Sequence, residues 1–186
     1  MTGTSLVTLL SDRLEDNAHT RFTTSQKVNA LNQAQDFLVS TLPVDKLRLL
    51  ETIYGASNQS GGTVDVSGLN ILRDHIVSVQ NATTLEFGTV IPHDKKDVTS
   101  SYISPCYLHS TNVHYPSDWD NPTIGIVITY LKVPVDIANT VDVLPLEDTH
   151  YNIISDMAES ILWNTDNKPE RAKYAEQRAL AQIQTI

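Results

Sequence analysis

The chain has 186 residues, a hydrophobic fraction of 40% and a formal net charge of −9. This length and apolar content are typical of one folded domain, or of one domain with an inserted module, and exclude a chain that is disordered throughout. The negative charge argues against a free nucleic-acid binder, because such a protein neutralises phosphates with basic side chains. Residues 61–150 carry 11 acidic side chains against 4 basic ones, so the middle of the chain is its acidic part.

The single cysteine, Cys106, excludes an intrachain disulfide and fits a reducing compartment. The first residues contain no basic segment followed by an apolar run, so we expect no signal peptide. No stretch of about 18 apolar residues occurs, and we therefore expect no membrane-spanning segment.

The first 55 residues are predicted to form three helices. Leucines recur at helical spacing over residues 5–14, and a second apolar stripe runs over residues 25–42, after Thr24 as a cap and before Pro43. Residues 44–54 have the spacing of a third, short helix, which Gly55 would end.

The periodicity then changes from that of helices to that of strands. A flexible joint of small and polar residues covers residues 56–62. Four later segments have the alternation or apolar content of strands: residues 63–66, 75–79, 107–115 and 123–133. In the last of these, Ile124, Ile126, Ile128 and Tyr130 would share one face. We predict an antiparallel β module of four to six strands.

Helical spacing returns near the end of the chain. Residues 148–163 carry a wide apolar face, and Pro169 begins a last helix whose apolar face is rich in alanine. The predicted fold class is α+β: a helical bundle formed by the N- and C-terminal helices, with the antiparallel β module inserted. The predicted boundaries are 1–55 for the N-terminal helices, 63–143 for the β module and 146–186 for the C-terminal helices.

The best candidate for a metal site is Cys106 with His109 and His114, completed by Asp118 or His93. Sulfur and imidazole at close spacing are ligands that zinc accepts. If residues 107–115 form one strand, however, His109 and His114 point to opposite faces and cannot converge. We therefore predict no metal site.

Asp118 and Asp120 flank Trp119 in a polar loop, where two carboxylates could hold calcium or serve as acid and base. Carboxylates in such loops more often cap the turn. The sequence contains no phosphate-binding loop and no nucleophile elbow. We predict no catalytic residue, no cofactor and no enzymatic activity. The alternative from a different class is a small hydrolase that uses Asp118, Asp120 and a histidine.

Several segments, in order along the chain, resemble the head–tail connector proteins of tailed bacteriophages, of the adaptor or tail tubular type. Residues 31–35, Leu-Asn-Gln-Ala-Gln, resemble a motif of that family's second helix. Residues 128–134, Ile-Thr-Tyr-Leu-Lys-Val-Pro, resemble its last strand, which ends in a tyrosine and then a proline. Leu144 and Pro145 introduce a helix of the expected kind, and the alanine-rich residues 172–186 match its last helix.

This resemblance implies a structural virion protein of the neck between capsid and tail, made in the host cytoplasm. Its partners would be copies of itself in a ring, usually of twelve, the portal protein, and tail or other neck proteins. DNA would pass through the channel without specific binding, and the family has no catalytic residues to transfer. The acidic middle suits a channel lining that repels phosphates, or a subunit kept soluble before assembly. A tail-completion or fibre-attachment protein is the alternative within the virion.

Three polar segments are candidates for contact with other chains: residues 56–62, 92–101 and 116–122. Loops on a rigid scaffold commonly carry binding residues. The alternative is that these segments are mobile surface loops.

Overall fold

The computed structural model describes residues 2–57, 61–96, 104–116, 119, 125–138, 146 and 148–186. The chain divides into two compact units. The helical unit consists of Met1–Leu49 and Pro134–Ile186, and the sheet unit of Leu50–Val133. The fold is thus mixed α+β, with four helices and a curled seven-stranded sheet in the described part of the chain.

The four helices of the helical unit are α1 Gly3–Arg13, α2 Thr24–Thr41, α3 Asp148–Thr165 and α4 Pro169–Ile183. Local chemistry fixes where they begin. The side chain of Thr2 accepts from the amide of Ser5. The cap of α2 is Thr23, not the predicted Thr24, and it forms a reciprocal capping box with Gln26. Pro169 stands in the first turn of α4, as predicted. Four of the five predicted helices are confirmed.

Helix α3 is the centre of this unit, since it packs against α1, α2 and α4. Helix α4 turns its alanines toward the interior, where Ala172, Ala175 and Ala179 are at most 1% exposed. Small side chains let the backbones approach closely. At the end of α3, Trp163 is buried with its ring edge-to-face against Phe22, at 5.8 Å between centroids.

Helix α2 also holds the chain where it returns from the sheet unit. The Asn32 side chain accepts a 2.8 Å hydrogen bond from the amide of Ile137 and donates a 3.2 Å bond to its carbonyl. Gln35 donates a longer bond, 3.4 Å, to the carbonyl of Val135. The segment therefore docks on α2 through paired amide contacts that satisfy its backbone.

A buried ion pair organises the connection from α1 to α2. The side chain of Lys27 is fully buried, and its Nζ lies 3.1 Å from the Asp16 carboxylate, 2.7 Å from the Asp16 carbonyl and 2.9 Å from Ser11 Oγ. The Asp16 carboxylate also accepts hydrogen bonds of 2.9–3.0 Å from the amides of Thr20, Arg21 and Phe22. One carboxylate thus closes the loop and neutralises the buried ammonium.

This environment shifts the pKa of Asp16. Burial alone would raise the pKa, but the amides of Arg21 and Phe22 and the ammonium of Lys27 outweigh burial and hold it well below its usual range. A carboxylate with a lowered pKa in the folded state stabilises that state at every pH above its ordinary value of 3.8, and the contribution is lost as the pH falls below it.

The sheet unit contains seven described strands. They are β1 Glu51–Ala56, β2 Thr63–Asp65, β3 Ile71–Asn81, β4 Phe87–Val90, β5 Pro105–His109, β6 Asn112–His114 and β7 Ile126–Lys132. Their order across the sheet is β1-β7-β3-β4-β5-β6-β2. All neighbours are antiparallel except β4 and β5, which are parallel.

The predicted antiparallel module of four to six strands is therefore wrong in two respects, strand number and the direction of one pair. Strands β4 and β5 are joined by the long connection 91–104, and a long connection can bring the chain back in the same direction. Sequence periodicity carries no signal for strand direction.

The predicted helix over residues 44–54 is also wrong. Val44–Lys46 and Arg48–Leu50 form short 3₁₀ turns, and residues 51–56 are β1, paired with β7. Thr52, Ile53 and Tyr54 are β-branched or aromatic residues, which favour a strand once a partner strand is present. Residues 50–55 consequently lie in the sheet unit.

The inner face of the sheet forms the core of its unit. Ile126, Ile128 and Tyr130 alternate along β7 and are at most 4% exposed, which confirms their predicted shared face. Ile124 lies outside the described residues. In β3 the register shifts after Ile71, where Arg73 and Asp74 have left-handed φ angles of 51° and 55°.

We expect Lys27→Met to lower the free energy of unfolding by about 3–5 kcal/mol, because it leaves the Asp16 carboxylate buried without its counter-ion. Urea unfolding followed by circular dichroism measures this. Asp166→Asn is the control, since the Arg21–Asp166 pair is partly exposed and its loss should cost about 1 kcal/mol or less. Equal effects of the two substitutions would contradict the role assigned to Lys27.

We expect Asn32→Ala to destabilise the protein by about 1–3 kcal/mol, since the amide of the buried Ile137 loses its acceptor. Its neighbour on the exposed side of α2, Gln33, provides the matched control. Gln33→Ala should change stability by no more than about 0.5 kcal/mol in the same urea titration. If the two alanine variants unfold at the same urea concentration, Asn32 does not hold residues 135–137 on α2.

Candidate functional site

A hairpin brings together His109 and His114, which were candidate metal ligands. Strands β5 and β6 are joined by a tight turn in which Ser110 has a left-handed φ of 55°. Tyr107 pairs with His114, and His109 with Asn112. Residues directly opposite in an antiparallel pair project to the same face, so His109 and His114 share a face. The expectation that they point apart is wrong, because residues 107–115 are two strands and not one.

His93 joins them from a separate turn, the 3₁₀ turn His93–Lys95. Its ring stacks on His109 with 4.0 Å between centroids and planes 14° apart. Tyr107 stacks on His114 at 4.6 Å and 10°, and the centroids of His109 and His114 are 6.2 Å apart. We call His93, Tyr107, His109 and His114 the histidine cluster.

The surroundings of the histidine cluster disfavour positive charge. Burial lowers the pKa of His114, and the charges of His109, His93 and Lys96 lower it further. His114 is therefore neutral at pH 7.

This arrangement is not built as a metal centre. In the described ranges, no group of three or more histidine, cysteine, aspartate or glutamate side chains is placed to hold a metal ion. The ligand nitrogens of an imidazole lie in the ring plane, so two rings stacked face to face do not direct their nitrogens at one point.

Cys106 lies on the opposite face of β5, in the core. It is fully buried beside Gly88 and Trp119, and burial raises the pKa of its thiol to about 12. The structure thus separates Cys106 from His109 and His114. Cys106 has no histidine of the cluster beside it to complete a zinc site, and burial disfavours the thiolate that would act as a nucleophile. Asp118 and Asp120 lie outside the described residues.

A groove of about 610 Å³ borders the histidine cluster. Its lining is mostly aliphatic, with Asp74, His75 and His93 as its titratable residues. Within the described residues, no hydrogen bond joins these three side chains, so nothing there orients an acid or a base for proton transfer. The aliphatic part of the lining would accept an apolar side chain.

The helical unit contains a second group of charged residues, on α3. Asp156 is paired with Arg13 and, at 2.8 Å, with Arg178. Glu159 is paired with Arg178 and accepts a 3.1 Å hydrogen bond from Trp163 Nε1. Both carboxylates are held by guanidinium groups from neighbouring helices, so their geometry serves helix packing.

No protein-family model matches the chain, and no curated protein matches it in a sequence search. None of the described helices is both long enough and apolar enough to cross a membrane.

We expect the Cys106 thiol to be unreactive in the native protein and fully reactive in urea, because it is buried and protonated. Reaction with a chromogenic disulfide reagent measures both states. Rapid reaction of the native protein at pH 7.5 would contradict the assignment. Zinc should bring no change in its ultraviolet absorption, because Cys106 is buried on the face of β5 opposite His109 and His114.

Proposed function

We propose that this chain is a head–tail connector subunit, which assembles into a ring below the portal around the DNA channel and joins capsid to tail. The observation that carries its role in assembly is an uncharged sheet face on which two large apolar side chains are exposed to solvent. The connector identity derives from the sequence motifs of the two ends and of β7. What the chain does is bind other chains, and it performs no catalysis.

The exposed face spans four neighbouring strands, β1, β7, β3 and β4. Register places one row across Gly55, Val127, Gln80 and Phe87, and a second across Ile53, Thr129 and Ser78. We call these seven residues the outer sheet face. Ile53 is 71% exposed and Phe87 is 63% exposed.

This face has the composition of a contact surface. None of its seven residues is charged, although the chain as a whole has a net charge of −9. Ile53, Val127 and Phe87 are its apolar side chains, and the uncharged Gly55, Gln80 and Thr129 lie beside them. An uncharged face with large exposed apolar side chains suits interaction with another protein. Strand β1 stands at the end of the strand order and contains neither lysine nor proline, the residues that protect edge strands from pairing.

The connector motifs fall on residues with defined contacts. In the segment 31–35, Leu31 and Ala34 are buried, while Asn32 and Gln35 bond the backbone of residues 135–137. The grouping of residues 1–49 with 134–186 in one unit supports a helical bundle formed from both ends of the chain. Such a bundle would build the ring wall, and the sheet unit would meet the tail components.

A tail-completion or fibre-attachment protein would use the same outer sheet face but occupy another place in the virion. The alternative function from a different class is that of a small hydrolase that uses Asp118, Asp120 and a histidine. The outer sheet face favours assembly over hydrolysis, because hydrolysis makes no use of the exposed Ile53 and Phe87 on an uncharged sheet face.

We expect the purified protein to form oligomers at high concentration or with the portal protein, and the double variant Ile53→Asp/Phe87→Asp to lose them. The two carboxylates would require desolvation in any interface that covers the outer sheet face. Light scattering gives the mass of each species. Assembly should weaken by at least about tenfold in concentration, the equivalent of 1.4 kcal/mol.

Thr111→Asp adds one carboxylate at an exposed residue of the β5–β6 turn, away from the outer sheet face, and should assemble as the wild type does. Circular dichroism checks that every variant is folded. A wild-type protein that stays monomeric at all concentrations and with portal overturns the proposed function. Normal assembly of the double variant rejects the outer sheet face as the contact.

A further inference from the structure

The turn His93–Lys95 is attached to the β5–β6 hairpin by stacked rings. Among the described residues, the backbone hydrogen bonds within residues 92–96 are internal: the amide of Lys95 donates to Pro92 and that of Lys96 to His93. The ordered ladder between β4 and β5 ends just before, where the amide of Ile91 donates to Cys106. Beyond Ile91, the ring of His93 lies against His109 and, at 5.6 Å, against Tyr107.

We propose that the histidine cluster is a pH-dependent latch, which fastens residues 92–96 to the β5–β6 hairpin when the imidazoles are neutral and releases them when the imidazoles are protonated. The inference concerns the sheet unit alone and does not depend on the proposed function. It adds a condition, acidification, under which one of the predicted contact segments changes its surface.

The geometry makes the stack sensitive to charge. Neutral rings 4.0 Å apart and nearly parallel attract each other through dispersion. Two imidazolium rings at that distance repel each other and also lose water of hydration on the stacked faces. His114 stands 6.2 Å from His109 and extends the repulsion across the hairpin. Protonation therefore turns the contact that holds the turn into one that expels it.

The charged groups around the cluster do not cancel this effect. Lys95 and Lys96 follow His93 on the same turn and add positive charge, while Asp94 is exposed. Across the small sheet, Asp65 is in line with His109 but two strands away, and its carboxylate already accepts a 2.8 Å bond from the amide of Ser67. On the side of β3, Asp74 and His75 line the groove together with His93.

The lowered pKa of His114, which lies below its ordinary value of 6.5, agrees in direction with the repulsion expected between charged rings. Well above pH 6.5, His114 is neutral in both the folded and the unfolded state. Below that pH, the unfolded chain takes up a proton at His114 before the folded chain does, so the folded hairpin loses stability as the pH falls. Release is thus expected on acidification from pH 7.5 to 5.5, a range in which ordinary carboxylates stay ionised.

Nuclear magnetic resonance of the labelled full chain at pH 7.5 and 5.5 tests the latch. At pH 7.5 we expect cross-relaxation between the His93 and His109 rings and a rigid backbone over residues 93–96. At pH 5.5 the inter-ring signals should disappear, and order parameters should fall from about 0.85 to below about 0.6. Signals of β7 serve as the internal reference and should not change.

Two substitutions separate charge from shape. His109→Phe keeps an aromatic ring under His93 but cannot be protonated, so the turn should stay rigid at pH 5.5, and the pKa of His114 should rise toward its ordinary value. His75→Gln removes a histidine that lines the groove but is not part of the stack, and its pH response should equal that of the wild type. His93→Ala should leave the turn mobile at both pH values.

A wild-type turn that stays rigid at pH 5.5, or is already mobile at pH 7.5, overturns the proposal without reference to any variant. Loss of β7 signals together with those of the turn would also overturn it, because the event would then be unfolding of the sheet unit. Release of the turn in His109→Phe as complete as in the wild type would show that some other group provides the switch.

Discussion

The helical unit depends on the burial of one ammonium group. A charge removed from water costs several kcal/mol unless partners replace its hydration, and Lys27 is fully buried in the interior. Its partners, Ser11, Asp16 and His19, all come from the end of α1 and the loop that follows. Satisfying Lys27 therefore fixes where α1 ends relative to α2.

The same constraint extends to α3 through the loop. The Asp16 carboxylate accepts hydrogen bonds from the amides of Arg21 and Phe22, which fixes the backbone from which both side chains reach Trp163. Phe22 meets the edge of Trp163, and the guanidinium of Arg21 lies 4.7 Å from its centroid. One ion pair thus orders a polar loop, and the loop in turn packs against the central helix.

Local spacing was sufficient to predict the helices but not the contacts that join them. The apolar stripes of α1, α2, α3 and α4 recur at 3.6 residues, and each helix carries its own start signal. No pattern in the sequence marks the polar residues that are buried. Lys27 reads in the sequence as an ordinary solvent-facing lysine, because its partners are brought to it by a loop whose conformation depends on the pair itself.

The errors in the sheet unit have a common physical cause. Residues 51–56 have apolar spacing compatible with a helix. They form a strand because they pair with β7, which lies about 70 residues further along the chain. The β5–β6 turn contains neither glycine nor proline and places Ser110 in the left-handed region, so the alternation reads as one long strand. With the turn missed, the histidine cluster could not be predicted, and His93 enters it from a different segment.

The place of the histidine cluster in the sheet explains how it can change without unfolding the unit. Strand order puts the outer sheet face on β1, β7, β3 and β4, and the histidine cluster on β5 and β6, with the parallel β4–β5 pair between them. That junction is firmly packed. Gly88 leaves room for the Cys106 thiol beside Trp119, and a side chain at this position would overlap the sulfur.

Glu86 strengthens the same junction by accepting 3.3 Å hydrogen bonds from Ser104 and from Trp119 Nε1. None of these groups belongs to the stacked rings, and the thiol does not ionise at physiological pH because burial holds its pKa at about 12. Under the proposed latch, acidification acts on the face of β5 that carries His109 and not on the face that carries Cys106. The hairpin stays joined to the sheet through β4 while the turn that follows Ile91 responds.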